Sequence, residues 1–462
     1  MDFDIVIIGS GPGGYVAAIR AAQLNFKVAL IERESLGGIC LNWGCIPTKA
    51  LLRSAQILEY LNNAQEYGLK ADTLDKDFSQ VIGRSRKVAE NMNKGIQFLM
   101  KKNNVTVIEG TAKVRPSKKV EVLDEKGNIT EYTAKHIIIA TGARSRELPN
   151  LPQDGEKVFG YREALSLKKQ PKRMVVVGSG AIGVEFAYFY KTMGTEVTIV
   201  EYMPKIVPLE DEDVSNHLEE VLRKKGIDIM NNSLVESVDT SGKTVKVFIK
   251  TPEGEKTIEA DAVLSAVGIK SNIEDIGLED VGIAVDRDKI LVDDFYETNI
   301  SGYYAIGDVV KDLALAHVAS AEGITCVEKI AGIDVEAIDY KNIPSCIYCI
   351  PEVSSVGMTE RQARELGYEL KVGKFPFSAS GKATAYGSKY GFIKVIYDAK
   401  YGELLGCHMI GDNVTEMISG AVVARKLEST GHEILKSVFP HPTMSEAIME
   451  ATAAAYGEVI HL

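Results

Sequence analysis

One structural unit is written twice in this chain, and the repeat decides most of what the chain can fold into. DIVIIGSGPGG, starting at Asp4, is matched by MVVVGSGAIGVE, starting at Met174. The glycines Gly9, Gly11 and Gly14 recur as Gly178, Gly180 and Gly183, a constant offset of 169 residues. An acid closes the next strand-like run in both copies, Glu32 in VALIER and Glu201 in VTIVEY, each 18 residues past the third glycine. The pattern is that of a βαβ unit that cradles a dinucleotide. The first glycine makes the turn after the strand, and the second lets backbone approach a pyrophosphate. The third allows the helix to pack close, and the helix N-terminus offers free amides to the phosphates. YVAAIRAAQL and VEFAYFYKTM supply apolar residues at helical spacing, and the acids are placed to accept hydrogen bonds from ribose hydroxyls. A lone GxGxxG carries little weight, but two in register with strand, helix and acid are strong evidence for two dinucleotides.

Directly after the first unit comes GGICLNWGCIPTKALL, from Gly37 to Leu52, with Cys40 and Cys45 five positions apart. In a chain without a secretory pattern such a pair is expected to be redox-active rather than structural. Sulfur beside the first nucleotide site calls for a cofactor that accepts electrons from thiols and passes them on, which makes the first site FAD and the second NAD. Glu201 repels a 2′-phosphate, and no arginine occurs from Thr198 to Lys205, so NAD is preferred over NADP. Lys205 is the only nearby cation.

The chain has 462 residues, 45% hydrophobic and 25% charged, enough for three or four ordinary domains. Its net charge of -11 leaves nothing to neutralise a phosphate backbone, which excludes a nucleic-acid partner. No apolar run approaches the ~20 residues that span a bilayer. MDFDIVIIG enters a strand at once without a basic leader, so the expected location is the cytoplasm of a bacterial-type cell, with a mature mitochondrial form as the alternative. Six cysteines are too few for a secreted disulfide scaffold; Cys326, Cys346, Cys349 and Cys407 are read as buried core residues. The expected fold is α/β: two Rossmann-like domains for FAD (1–148) and NAD (149–269), a central segment completing the FAD site (270–341), and a C-terminal α+β domain (342–462) that mediates dimerisation.

With both fingerprints, the CxxxxC segment, IIIATGA, GYYAIGD and HPTMSEAIMEA in one order, the chain resembles the pyridine nucleotide–disulfide oxidoreductases along essentially its full length. GGICLNWGCIPTKALL and PEVSSVGMTERQA are most similar to the members that oxidise dihydrolipoyl groups. The resemblance implies that Cys40 is the interchange thiol and Cys45 the thiol against the flavin, with Lys49 and Glu185 beside it. It implies that Asp308 holds the flavin ribitol, with Ala314, Leu315, Ala316 and His317 along its other side, and that Ala112, Thr141 and Gly142 also contact FAD. Val235 and Gly268 are implied for NAD. His441 and Glu446 are implied as a catalytic dyad reaching the disulfide of the partner subunit in a homodimer. The implied partners are the lipoyl domains of 2-oxo acid dehydrogenase E2 subunits or the glycine cleavage H protein. The chemistry is consistent: a thiol near its ordinary pKa of ~8.5 needs a base before it can attack a disulfide. A histidine held by a carboxylate can take that proton and return it.

Overall fold

The computed structural model describes residues 1–70, 75–311, 313–388 and 390–462. Each copy of the repeat builds a parallel sheet. In the first, Thr106–Glu109, Val28–Glu32, Phe3–Ile8 and Ile129–Ile139 lie side by side in that order, and the distant strand Tyr303–Ala305 joins the last of them. In the second, Asp228–Met230, Glu196–Val200, Arg173–Val177 and Ala262–Ser265 repeat the order, with Val158–Phe159 at the far edge. The two units therefore share one topology but recruit their edge strand from opposite directions along the chain. Their central strands are runs of Ile, Val and Leu because both faces are covered: Ile5, Val6 and Ile7, and Val175 and Val176, are buried.

Each parallel unit also carries an antiparallel meander. Thr111–Arg115 and Lys119–Leu123 pair onto the start of Ile129–Ile139, and Leu234–Asp239, Val245–Thr251 and Gly254–Ala260 form its counterpart. The 270–341 stretch shares its core with the first unit: Leu278, Tyr303 and Val309 pack with Phe3, Val6 and Ile137. Helix Ala316–Ile330 lies close against helix Pro12–Gln23, at Gly323, where a Cβ would stand 2.8 Å from the Gly13 carbonyl oxygen. That approach places the turn Gly307–Val309 and the start of Ala316–Ile330 next to the first fingerprint.

The C-terminal part is one antiparallel sheet, ordered Ser345–Ile347, Glu352–Gly357, Leu404–Gly411, Phe392–Asp398, Leu370–Pro376. Helices Val414–Lys426 and Glu446–Tyr456 share its core through Met417, Ile418, Ala447 and Ala451. This sheet is tied to the second unit by Lys394, which is almost fully buried and bonds Asp211 (2.8 Å), Asp213 (3.0 Å) and Glu360 (2.8 Å).

Candidate active site

The first fingerprint opens onto a cavity of about 740 Å³, a size suited to a large organic cofactor. Gly9 turns the chain at φ +99°, where a Cβ would stand 2.2 Å from the Ala140 carbonyl oxygen. Gly14 lies under the turn, its missing Cβ 1.9 Å from the Gly9 oxygen, so it serves packing and does not line the cavity. A Cβ on Gly11 would meet nothing within 4 Å, so the backbone there faces open space. Glu32 stands on the same wall, its Oε2 accepting from the Ser10 amide (3.0 Å) and hydroxyl (2.6 Å). The second unit repeats this detail: Glu201 Oε2 accepts from the Ser179 amide (2.8 Å) and hydroxyl (2.5 Å). Ser10 and Ser179 were missed in the reading of the glycines, although the shared G-S-G signals them.

Ala112, Thr141, Gly142, Asp308, Ala314, Leu315, Ala316 and His317 all line the larger cavity. Thr141 and Asn272 exchange hydrogen bonds, 2.7 and 3.0 Å, which fix that wall. The Gly307–Asp308 turn is pinned by the buried Glu322, which accepts from the Gly307 amide at 2.6 Å and from the Tyr340 hydroxyl at 2.6 Å. Burial raises the Asp308 carboxyl above the ordinary range. A half-buried carboxyl, a serine-held acid, open backbone at a helix N-terminus and an apolar floor are a donor and acceptor set that fits FAD.

Cys40 and Cys45 lie on the wall of this same cavity, both as thiols. Helix Gly38–Trp43 stops at Gly44 and helix Cys45–Asn62 starts immediately after, so Cys45 sits at a helix N-terminus. The Cys40 thiol donates toward Cys45, which raises Cys40 and draws Cys45 below an ordinary thiol; the Lys49 charge adds to the second effect. Lys49 Nζ bonds both oxygens of Glu185, at 3.0 and 2.9 Å, and lies 4.2 Å from the centre of the Tyr348 ring. Glu185 also accepts from the Tyr348 amide at 2.9 Å. Tyr348 was not foreseen; a tyrosine in a strand-like run gives no signal of a lysine 299 positions earlier.

The second fingerprint opens onto a smaller cavity of about 570 Å³, lined by Gly178, Gly180, Glu201 and Val235. Gly183 is packed under Gly178, as Gly14 is under Gly9. Gly268 stands just outside the lining, next to Val267, which is part of it. Strand Ser345–Ile347 runs between the two cavities: Ser345 and Ile347 face the smaller, and Cys346 and then Tyr348 face the larger. The expectation of four buried structural cysteines is corrected here. Cys326, Cys349 and Cys407 are buried, but Cys346 is half-buried on the cavity wall, because both faces of its strand border a site.

His441 and Glu446 meet each other but line neither cavity of their own chain. His441 Nδ1 is 2.8 Å from Glu446 Oε1, and Glu446 Oε2 accepts from the Thr443 amide at 2.7 Å. Burial works against the Glu446 charge, but the Thr443 amide and His441 together hold its carboxyl below the ordinary range. The His441 side chain is 78% exposed. An imidazole fixed at Nδ1 with its other nitrogen facing outward is placed to act on a group that another surface brings to it.

Residues 3–323 match the family model described as pyridine nucleotide-disulphide oxidoreductase, and 343–452 match the dimerisation domain of the same family. The chain is 48% identical to a dihydrolipoyl dehydrogenase of Rhizobium etli and 42% identical to one of Bacillus subtilis. These alignments cover 99% and 100% of this chain and 99% of each relative. Among solved structures it superposes on LpdA of Mycobacterium tuberculosis with a TM-score of 0.91 at 27% identity, covering 97% of this chain and 99% of that one. It superposes on the HOCl-induced flavoprotein disulfide reductase RclA of Escherichia coli with a TM-score of 0.87 at 29% identity, covering 97% and 99%.

Proposed function

The chain belongs to the pyridine nucleotide-disulphide oxidoreductase family, and on that footing we propose that it is a dihydrolipoyl dehydrogenase, oxidising protein-bound dihydrolipoyl groups and reducing NAD⁺. The observation that carries the reading is the pair Cys40 and Cys45 on the wall of the cavity that the first fingerprint opens. FAD, bound in that cavity, supplies the acceptor for the electron pair of the dithiol and its relay to NAD⁺ in the smaller one.

The chain's own residues do the sulfur chemistry. In the oxidised enzyme Cys40 and Cys45 form a disulfide. His441 takes a proton from the dihydrolipoyl thiol, and the resulting thiolate attacks Cys40 Sγ, releasing the Cys45 thiolate. The second donor thiol then attacks the donor sulfur bonded to Cys40, closing the donor's own ring; its proton passes to the departing Cys40 sulfur. The donor loses two protons and two electrons, and the protein disulfide becomes a Cys40 thiol and a Cys45 thiolate, with the first proton held on His441. Cys45 is the better leaving group because the helix N-terminus and Lys49 favour its anion. Glu446 holds the imidazole in the required tautomer and offsets the charge it gains.

The dimerisation-domain match supports a homodimer. Within it, His441 of each protomer serves the cysteine pair of the other, which accounts for its exposure in a single chain. Lipoyl domains of E2 subunits or the glycine cleavage H protein are the partners we infer. Among the described residues no helix is long and apolar enough to cross a membrane, and the relatives named above are bacterial; both are consistent with a bacterial cytoplasm. The test is NAD⁺ reduction by purified enzyme under anaerobic conditions. Dihydrolipoamide should drive it and glutathione should not; equal rates, or reaction with glutathione alone, would overturn the proposal.

A further inference from the structure

The smaller cavity carries a carboxyl that this chemistry leaves without a role. Glu210 lines it, on the loop between strand Glu196–Val200 and helix Glu212–Lys224. Its Oε2 is buried and has no hydrogen-bond partner among the described residues. The loop is pinned on both sides of this residue. The Val207 amide donates to the Ser179 carbonyl at 3.2 Å, and Asp211 accepts from Lys394 at 2.8 Å and from the Glu360 amide at 3.1 Å. Glu210 therefore has little freedom to swing out to solvent.

Among the described residues, the groups that act on Glu210 bring it no positive charge. Asp211 follows it in the chain, the Ser355 hydroxyl faces it from strand Glu352–Gly357, and Cys346 lies near it on strand Ser345–Ile347. Glu201 lines the same cavity, and among the described residues no lysine or arginine does. Lys394, bonded to the neighbouring Asp211, is committed to Asp211, Asp213 and Glu360. Burial, with the Asp211 charge adding to it against the Ser355 hydrogen bond, pushes Glu210 up to about 7.

A dinucleotide brings two phosphate charges into a cavity whose described lining holds Glu201 and no lysine or arginine. Leaving Glu210 ionised there would set an unpartnered buried carboxylate beside a ligand of its own sign. We infer that Glu210 is protonated when a dinucleotide is bound, so that binding is coupled to proton uptake from solvent at this side chain. The inference rests on the reading that the smaller cavity takes NAD⁺. Its sign follows from linkage. A carboxyl whose pKa is higher in the complex than in the free protein supports full affinity below the free value, and affinity falls as pH rises toward the bound value. A displacement of one unit gives roughly tenfold weaker binding at high pH, and uptake of about half a proton midway between the two values.

The experiment is isothermal titration of NAD⁺ into the oxidised holoenzyme, in buffers of low and high ionisation enthalpy, with affinity followed from pH 6 to pH 9. Wild type should take up about half a proton near pH 7.5 and bind roughly tenfold more weakly at pH 9 than at pH 6. Glu210→Gln should show neither effect and should bind at pH 9 as wild type does at pH 6. Glu210→Met serves as a second variant, and flavin content reports whether each has folded. NAD⁺ binding without proton exchange, or the same proton exchange in the variants, overturns the inference alone. Absence of NAD⁺ binding by wild type at every pH overturns the cavity assignment and the inference with it.

Discussion

Replacing Glu446 with Gln tests whether His441 works on the outside of one chain or inside a site closed by a second. The wild-type pair is short, 2.8 Å from His441 Nδ1 to Glu446 Oε1, with the other oxygen held by the Thr443 amide at 2.7 Å. A glutamine amide in its place presents one oxygen, which cannot serve both donors, and it has no charge to set against an imidazolium. With 78% of the histidine side chain in water, such a pair is worth at most ~1 kcal/mol, and its loss would slow proton transfer about fivefold or less. Covered by a partner surface, a hydrogen bond to a charged group is worth ~1.5–3 kcal/mol, which corresponds to roughly 10- to 150-fold. We expect the larger range. The assay is anaerobic stopped-flow, comparing reduction of the enzyme by dihydrolipoamide with its reduction by NADH. Only the dihydrolipoamide reaction should slow, because His441 lines neither cavity. A loss below about fivefold would refute the shared-site argument, and equal slowing of both reactions would refute the assignment of the dyad to sulfur chemistry.

Three further outcomes are expected. Gly14→Ala places a methyl where the Gly9 oxygen is 1.9 Å away; at ~1–3 kcal/mol of overpacking the purified protein should retain flavin roughly 5- to 150-fold more weakly, read from absorbance after dilution. Lys49→Met removes a charge that favours the Cys45 anion, so the pH midpoint for thiolate formation in the reduced enzyme should rise by ~1 unit or more, followed by ultraviolet thiolate absorbance. Lys394→Met leaves Asp211, Asp213 and Glu360 without their shared cation and should cost ~3–5 kcal/mol, seen as faster thermal inactivation without a change in bound flavin.

What could be read from the residues divides along physical lines. Gly9, Gly14, Gly178 and Gly183 were legible because each answers a backbone constraint that no other residue satisfies, and repetition removed the ambiguity. Cys40, Cys45, His441 and Glu446 stand in short local segments, and the structure brings each pair together within its own segment. The contacts that cross the chain were not legible: Tyr348 over Lys49, Lys394 among Asp211, Asp213 and Glu360, and Glu322 under Gly307 each join segments that only the fold makes neighbours. Cys346 misled for a related reason. Its strand looks like an ordinary buried run, and only the packing of two units on either side turns both of its faces into cavity wall. Glu210 was equally silent in sequence, since one acid in LEDED looks like a solvated helix start.

The most direct test of the account is a count of alkylated cysteines by mass spectrometry. Oxidised enzyme, denatured in iodoacetamide, should be labelled at Cys326, Cys346, Cys349 and Cys407 and unlabelled at Cys40 and Cys45. After anaerobic addition of dihydrolipoamide all six cysteines should be labelled, and after glutathione the first pattern should remain. Full labelling of the oxidised enzyme, or a change confined to Cys346 and Cys349, would contradict the claim that the Cys40–Cys45 pair receives the electrons.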